Sequence, residues 1–535
     1  MQTPKQFRGS KFRRVADRVL PYDTRRRRFI VERARRLPFT QRWRSSNLRR
    51  TPPRPTGEVH LPTEVPHSID PVVTIVIPVH GQLDMTCNCL WSLTRSRNSI
   101  PFEILVLDDA SPDDSAAQLE KILGLRLIRL IDNVGFTRAC NIAAAEAKTP
   151  YVVFLNNDTE VRDGWLDALH RVADSAADIG IVGARLLYPD GVLQEAGGVI
   201  FNDGTGWNYG RGFPGDDPRC LHRRSVDYVS GAALLIRKDL FDSVGMFDER
   251  YSPAYCEDSD LAFTVRSLGY RVVYEPNAVV VHYEGSSHGT DTSKGLKRYQ
   301  VRNQSLLAAK WRAELLLHGE PTGPIDILRN FGSPPRILVV DEFVPSSEGD
   351  MRSRRMAKLL LLMQEMEYSV TLFPEKASLR TEGDVARMRS LGIEVIDGER
   401  KYQLHHAGTG FVLIIVSGLQ TATRWIPALR RQYSNVPIVF DYVDGHTHPF
   451  TSEITSVPVD PTNAESVKAK DLSGIEADLM VVPTNSNVTI GLNGTPEIAV
   501  VDPNNVLMAL QAFIRSHKEV LHRRPVRSLD HLEQH

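Results

Sequence analysis

Val72 to Gly81 reads VVTIVIPVHG, and Glu103 to Ser115 reads EILVLDDASPDDS. In each, a run of Val, Ile and Leu stops abruptly at a polar cluster. Such runs are long enough for a strand buried on both faces and too short for a membrane span. Working outward, the alternation continues. A helical stretch lies near Asp84–Arg95, strands at Phe102–Asp108 and Leu125–Leu130, helices at Ser115–Leu123 and Phe136–Ala147, and a strand at Tyr151–Asn156. This pattern predicts a doubly wound α/β domain, a parallel sheet with helices on both faces. Ligands of such sheets sit outside the carboxyl ends of the strands. The residues there are His80-Gly81, Asp108-Asp109 and Asn156-Asn157-Asp158. Singly, each is an ordinary turn or cap residue; together they line one sheet edge.

The chain has 535 residues, room for two to four domains, and its 41% hydrophobic content excludes wholesale disorder. Its 65 Lys+Arg balance 65 Asp+Glu, but unevenly. Residues 1–55 hold 18 Lys/Arg against 3 Asp/Glu, an excess of +15 that the remainder cancels. This arm ends in Thr51-Pro52-Pro53-Arg54-Pro55, a linker composition. It reads either as a solvated charge run or as a contact for an anionic membrane surface. No aromatic stacking platform accompanies the charge, so no nucleic acid is expected. Met1 to Ser10 lacks the apolar stretch of a secretory signal, and Cys87, Cys89, Cys140, Cys220 and Cys256 show no zinc spacing or even-numbered disulfide framework. The expectation is a reduced, cytoplasmic protein, at most peripheral at the inner face of the cell membrane.

Five collinear blocks resemble the family 2 glycosyltransferases of the GT-A fold: TIVIPVHG (Thr74–Gly81), EILVLDDASPDDS (Glu103–Ser115), NVGFTRACN (Asn133–Asn141), FLNNDTEV (Phe154–Val161), and GMFDERYSPAYCEDSDLAFTVRSLGYRVVYEP (Gly245–Pro276) with VHYEG (Val281–Gly285). The resemblance implies inverting transfer of a sugar from a nucleotide-diphosphate donor to a glycan or lipid-linked acceptor, in O-antigen- or capsule-like biosynthesis. It assigns Asp258 as general base, with Glu257 positioning acceptor or base. Pro78, Asp108, Asp109, Asn133, Arg138, Asn141, Asn156 and Arg302 are implied in nucleotide-sugar binding. Asp158 and His282 are implied as ligands of Mg2+ or Mn2+. Chemistry supports these roles, since carboxylates accept from base N–H and ribose hydroxyls and hard cations take carboxylate oxygens. Asn156 departs from the family's Asp-x-Asp pattern. That departure is the one support for a rival reading, a catalytically weak nucleotide-sugar-binding scaffold. Arg302-Asn303, where polymerising synthases carry Gln-x-x-Arg-Trp, points to non-processive transfer. In the Gly-rich stretch Leu186–Val229, Trp207 and Tyr209 read equally as sugar-stacking rings or core anchors.

After Gly332-Ser333-Pro334-Pro335 a second alternation begins, predicting a Rossmann-like domain. RILVVDEFVPSSEGDMRSRRM (Arg336–Met356) and PIVFDYVDGH (Pro437–His446) resemble the N-terminal half of a GT-B glycosyltransferase. Only 34 residues follow Val501, too few for the other GT-B half, so a non-catalytic or acceptor-binding companion is expected. The predicted organisation is an arm and linker at 1–70, a GT-A domain at 71–320, the Rossmann-like domain at 333–505 and a helical tail at 506–535.

Overall fold

The computed structural model describes residues 61–283, 298–321, 334–346, 348–376, 382–396 and 410–441, and three strands beyond by their backbone. The basic arm, its Pro-rich linker and the expected C-terminal tail lie outside the described residues.

β1 (Val73–Val79), β2 (Phe102–Asp108), β3 (Leu125–Arg129) and β4 (Tyr151–Leu155) form a parallel block in the order β3-β2-β1-β4. Every residue of β1 and β4 is buried, which explains why these strands read as continuous apolar runs. Their alternate residues serve two cores. Val73, Ile75, Ile77 and Val79 pack with Leu90, Leu93, Trp165 and Leu169 on one face. Val76 packs with Ala139, Cys140, Phe241 and Phe247 on the other.

Beyond β4 the sheet departs from the doubly wound expectation and is mixed. β5 (Thr159–Val161) pairs with the distal part of β12 (Arg271–His282), which runs parallel to β6 (Ile179–Leu187). After β6 the chain makes an excursion through residues 188–232. This carries β7 (Leu193–Glu195), a hairpin of β8 (Gly198–Ile200) and β9 (Gly206–Asn208), and β10 (Arg224–Ser225). With no crossover helix to return it, the chain re-enters at the carboxyl edge, so β11 (Ala233–Arg237) runs antiparallel to both β4 and β6. The expected Val279–Val281 strand is the end of β12, which bends at an irregularity between Glu275 and Val279.

The second sheet contains β13 (Arg336–Asp341), β14 (Ser369–Pro374), β15 (Glu394–Val395), β16 (Phe411–Ser417) and β17 (Ile438–Asp441), all parallel in the order β15-β14-β13-β16-β17. That is the three-two-one-four-five order of a Rossmann-like sheet. It continues through β18 (Leu479–Pro483) to β20 (Glu497–Val501), with β19 (Val488–Ile490) antiparallel at the edge. The sheets meet at one corner, where the Arg223 amide donates to the Arg389 carbonyl at 3.2 Å. The Arg223 side chain is meanwhile paired with buried Glu275 at 2.8 Å. No helix among the described residues is long and apolar enough to cross a membrane.

Candidate active site

A cleft of about 780 Å³ opens at the carboxyl edge of β1 and β4. At one end begins the helix Glu257–Ser267. Tyr255 (φ 79°) and Cys256 (φ 74°) turn left-handed just before it, which costs roughly 1–2 kcal/mol per non-glycine residue. Asn303 holds this turn in place: its buried Nδ2 donates to the carbonyls of Tyr251 (2.7 Å), Ala254 (2.9 Å) and Tyr255 (2.9 Å). The first helical turn then presents Glu257, Asp258 and Asp260, where unpaired N–H groups favour anions.

The three acids divide their work. Asp260 is structural, accepting from Tyr251 Oη (3.0 Å), Lys310 Nζ (2.7 Å) and Trp311 Nε1 (2.7 Å). Asp258 lines the cleft, its Oδ2 accepting from the Gly231 amide (3.1 Å) and its Oδ1 from the Ser259 amide (2.6 Å). Glu257 lies beside it, with Oε2 buried and unpartnered. Burial pushes both carboxyls above the ordinary range, and Asp258's charge pushes Glu257 further. Asp258 is therefore a stronger proton acceptor than a surface Asp.

At the other end, Asp158 Oδ1 lies 3.2 Å from His282 Nε2, and Asn156 Nδ2 lies 3.5 Å from the same nitrogen. His282 Nδ1 is 2.9 Å from Gln194 Oε1, an acceptor, so Nδ1 carries a hydrogen. Nε2 thus meets the Asp158 carboxylate across a gap that a proton or a cation must bridge. No third His, Cys, Asp or Glu joins them as a metal cluster among the described residues. Along the floor, Asp109 accepts from the amides of Val134 (2.7 Å) and Gly135 (2.9 Å), tying the end of β2 to the start of the helix Phe136–Ala145.

Between the two ends lies β7. Its pairing slips between Leu186↔Glu195 and Leu187↔Leu193, leaving Gln194 as an extra residue. A bulge of this kind breaks the strand's alternation, so consecutive Gln194 and Glu195 both line the cleft. Glu195 Oε1 accepts from the Ser230 amide at 2.9 Å, while Oε2 is buried without a partner. Burial pushes this carboxyl up to about 7.

Residues 74–245 match the family model described as Glycosyl transferase family 2. This stretch is a family 2 glycosyltransferase domain. The O-antigen biosynthesis protein RfbC of Myxococcus xanthus is 26% identical over 398 residues, 70% of this chain; the chain spans 28% of that relative's length. An N-acetylglucosaminyl-diphospho-decaprenol L-rhamnosyltransferase of Mycobacterium tuberculosis is 29% identical over 242 residues, 40% of this chain and 78% of its own. A solved structure of GalNAc-T7 with UDP, GalNAc and Mn2+ covers 49% of this chain and 54% of its own at 16% identity and a TM-score of 0.37.

The structure brings Pro78, Asp109, Asn133, Asn156 and Asp158 of the matched stretch together on one cleft with Glu257, Asp258 and His282, which lie beyond it in sequence. Asp108 is buried next to it, with Oδ2 on the Ser111 amide (3.4 Å) and Oδ1 unpartnered. Arg138, Asn141 and Arg302 are not brought in. Arg138 pairs with Glu249 at 2.9 Å on the surface, and Asn141 exchanges hydrogen bonds with the backbone of Phe247 at 2.9 and 3.0 Å. These two share one face of the helix Phe136–Ala145, whereas Phe136 and Ala139 reach the cleft. Likewise Gln300, Gln304 and Leu307 form the cleft-facing stripe of the helix Arg298–Lys310, leaving Arg302 exposed. Tyr209 is a core anchor, buried with Leu193 and Phe213, and Trp207 stands partly exposed outside the cleft lining. Sequence reasoning missed Gln194, Glu195 and Asn303. The first two carried a signal, a polar pair inside the apolar run VLQEAGGVI.

Proposed function

We propose that this chain transfers a sugar from a nucleoside diphosphate to a hydroxyl of a glycan or lipid-linked acceptor, inverting the anomeric carbon, in the assembly of a cell-surface polysaccharide. The observation that carries this reading is a single cleft lined both by a half-buried, proton-avid carboxylate, Asp258, and by the Asp158–His282 pair. Asp258 takes the proton from the acceptor hydroxyl as that oxygen attacks C1 on the face opposite the diphosphate. One displacement, with no covalent enzyme intermediate, inverts the centre. Glu257, crowded beside Asp258, is held protonated by burial and by the charge of Asp258, which leaves Asp258 as the carboxylate of the pair that takes the proton.

The departing diphosphate needs countercharge. Of Asp, Glu, Lys and Arg, the cleft is lined by Asp109, Asp158, Glu195, Glu257 and Asp258 against Arg211. Asp158 and His282 suit Mg2+ or Mn2+, which, when bound, supplies that countercharge. The names of the Myxococcus and Mycobacterium relatives support the acceptor class. In this reading the second sheet is a companion that binds acceptor, and the basic arm meets an anionic membrane surface.

The test is calorimetry with UDP-, dTDP- and GDP-sugars in Mn2+, followed by nucleotide release on an acceptor panel. One donor class should bind, and EDTA should abolish that binding; affinity indifferent to EDTA removes the metal. Asp258→Asn should keep nucleotide affinity within about twofold and lower transfer by roughly 10²–10⁴. A variant that folds and retains more than about a tenth of the rate shows that Asp258 is not the base.

A further inference from the structure

Three buried side-chain oxygens in the cleft have no partner: Asn156 Oδ1, Glu195 Oε2 and Glu257 Oε2. All are acceptors. None of the buried donors left unpartnered among the described residues belongs to the cleft lining. A ligand that satisfies this surface must bring hydrogens, and a polyhydroxylated ring brings several. Asn156 lies at the Asp158–His282 end and Glu257 at the Asp258 end, so each belongs to a centre already described. Glu195 belongs to neither.

Its position is fixed from both sides. Gln194, the residue before it, holds His282 Nδ1 at 2.9 Å. Ser230, whose amide holds Glu195 Oε1, is followed by Gly231, whose amide holds Asp258 Oδ2. Glu195 therefore stands between the diphosphate end and the base end. The sugar of a bound donor must lie there too, because its C1 joins the leaving phosphate oxygen to the hydroxyl that Asp258 faces.

We propose that Glu195 is the sugar-reading residue of the cleft: its Oε2 accepts a hydrogen bond from a ring hydroxyl of the donor sugar. Together with Asp258, it admits neutral hexoses or deoxyhexoses and repels uronic acids. This rests on the reading of the cleft as a nucleotide-sugar site. The burial that lifts the Glu195 carboxyl to about 7 accords with it, since a hydroxyl donor stabilises a carboxylate taken out of water. Glu195→Gln discriminates well, because its single carbonyl oxygen is needed by the Ser230 amide. The amide nitrogen then replaces Oε2 and offers a donor where an acceptor is required.

The experiment is calorimetry in Mn2+ at pH 7.5, an about neutral buffer, comparing each nucleoside diphosphate (UDP, dTDP, GDP) with its hexose ester for wild type and Glu195→Gln. The affinity added by the sugar should fall by roughly 10-fold or more in the variant, as expected for losing a hydrogen bond to a charged group, while affinity for the bare nucleotide stays within about twofold. In the wild type, one of the 2-, 3-, 4- or 6-deoxy donors should lose a comparable factor, a measurement independent of how the variant folds. UDP-glucuronate should bind more weakly than UDP-glucose, or no better than UDP. An unchanged sugar increment in the variant, or wild-type indifference to every deoxy donor, overturns the role of Glu195 alone. Failure of the wild type to bind any of the nucleotides overturns both this role and the nucleotide-sugar reading beneath it.

Discussion

Glu257 and Asp258 share the first turn of one helix, and burial raises the proton affinity of both. The acid limb of kcat/KM should therefore fall above the ordinary carboxylate value of about 4, and Glu257→Gln, which keeps a neutral neighbour beside Asp258, should leave it there. A pH–rate profile in saturating Mn2+ checks this; a wild-type limb at about 4, or a large move to lower pH in the variant, counts against burial as the cause. For stability the sign is the reverse of a salt-bridged acid. The folded form holds these protons more tightly than the unfolded chain does, so their contribution is present at low pH and is lost as pH rises through the raised values. These acids were legible in the sequence because three within four residues at the head of an apolar helix exceed what capping requires. Glu195 was not legible as a site residue, because alternation along a strand would send Gln194 and Glu195 to opposite faces, and only the bulge brings both into the cleft.

The helix Arg298–Lys310 grips, through Asn303, the turn ahead of the helix that carries Asp258. Asn303→Ala removes three bonds to the carbonyls of Tyr251, Ala254 and Tyr255, and should lower stability by about 1–3 kcal/mol. Because it frees the left-handed turn that aims Asp258, kcat should fall by more than nucleotide affinity does. Thermal unfolding alongside steady-state kinetics reads both, and an equal loss in kcat and nucleotide affinity would mean only general loosening. Elements as a class were readable, since runs such as Val73–Val79, apolar at every position but Thr74, occur only when both faces are covered. Strand direction was not, because nothing in the composition of β11 distinguishes a strand entering from one edge from a strand entering from the other. Arg138 and Asn141 were assigned to the cleft from their motif. The small residues Ala139, Cys140, Ala143 and Ala144, which press the helix against the sheet, show which face points inward.

For the molecule as a whole, the charge asymmetry of the sequence makes a separate prediction. Deleting residues 1–55, with their +15 excess, should leave transfer to soluble acceptors unchanged and weaken co-sedimentation with acidic-lipid vesicles. The difference should be plain at 0.1 M salt and vanish at 1 M, where the screening length shrinks from about 10 Å to about 3 Å. Equal sedimentation of both forms at low salt would return the arm to a solvated tail. The two sheets, for their part, are less separable than the chain suggests. The excursion through residues 188–232 carries Glu195 and Arg211 into the cleft, and near its other end the Arg223 amide is tied to the Arg389 carbonyl. The excursion is thus a strut that touches the cleft with one stretch and the neighbouring sheet with another. A fragment cut between the sheets keeps the cleft lining and loses that abutment, so the excursion would stand without its outer support.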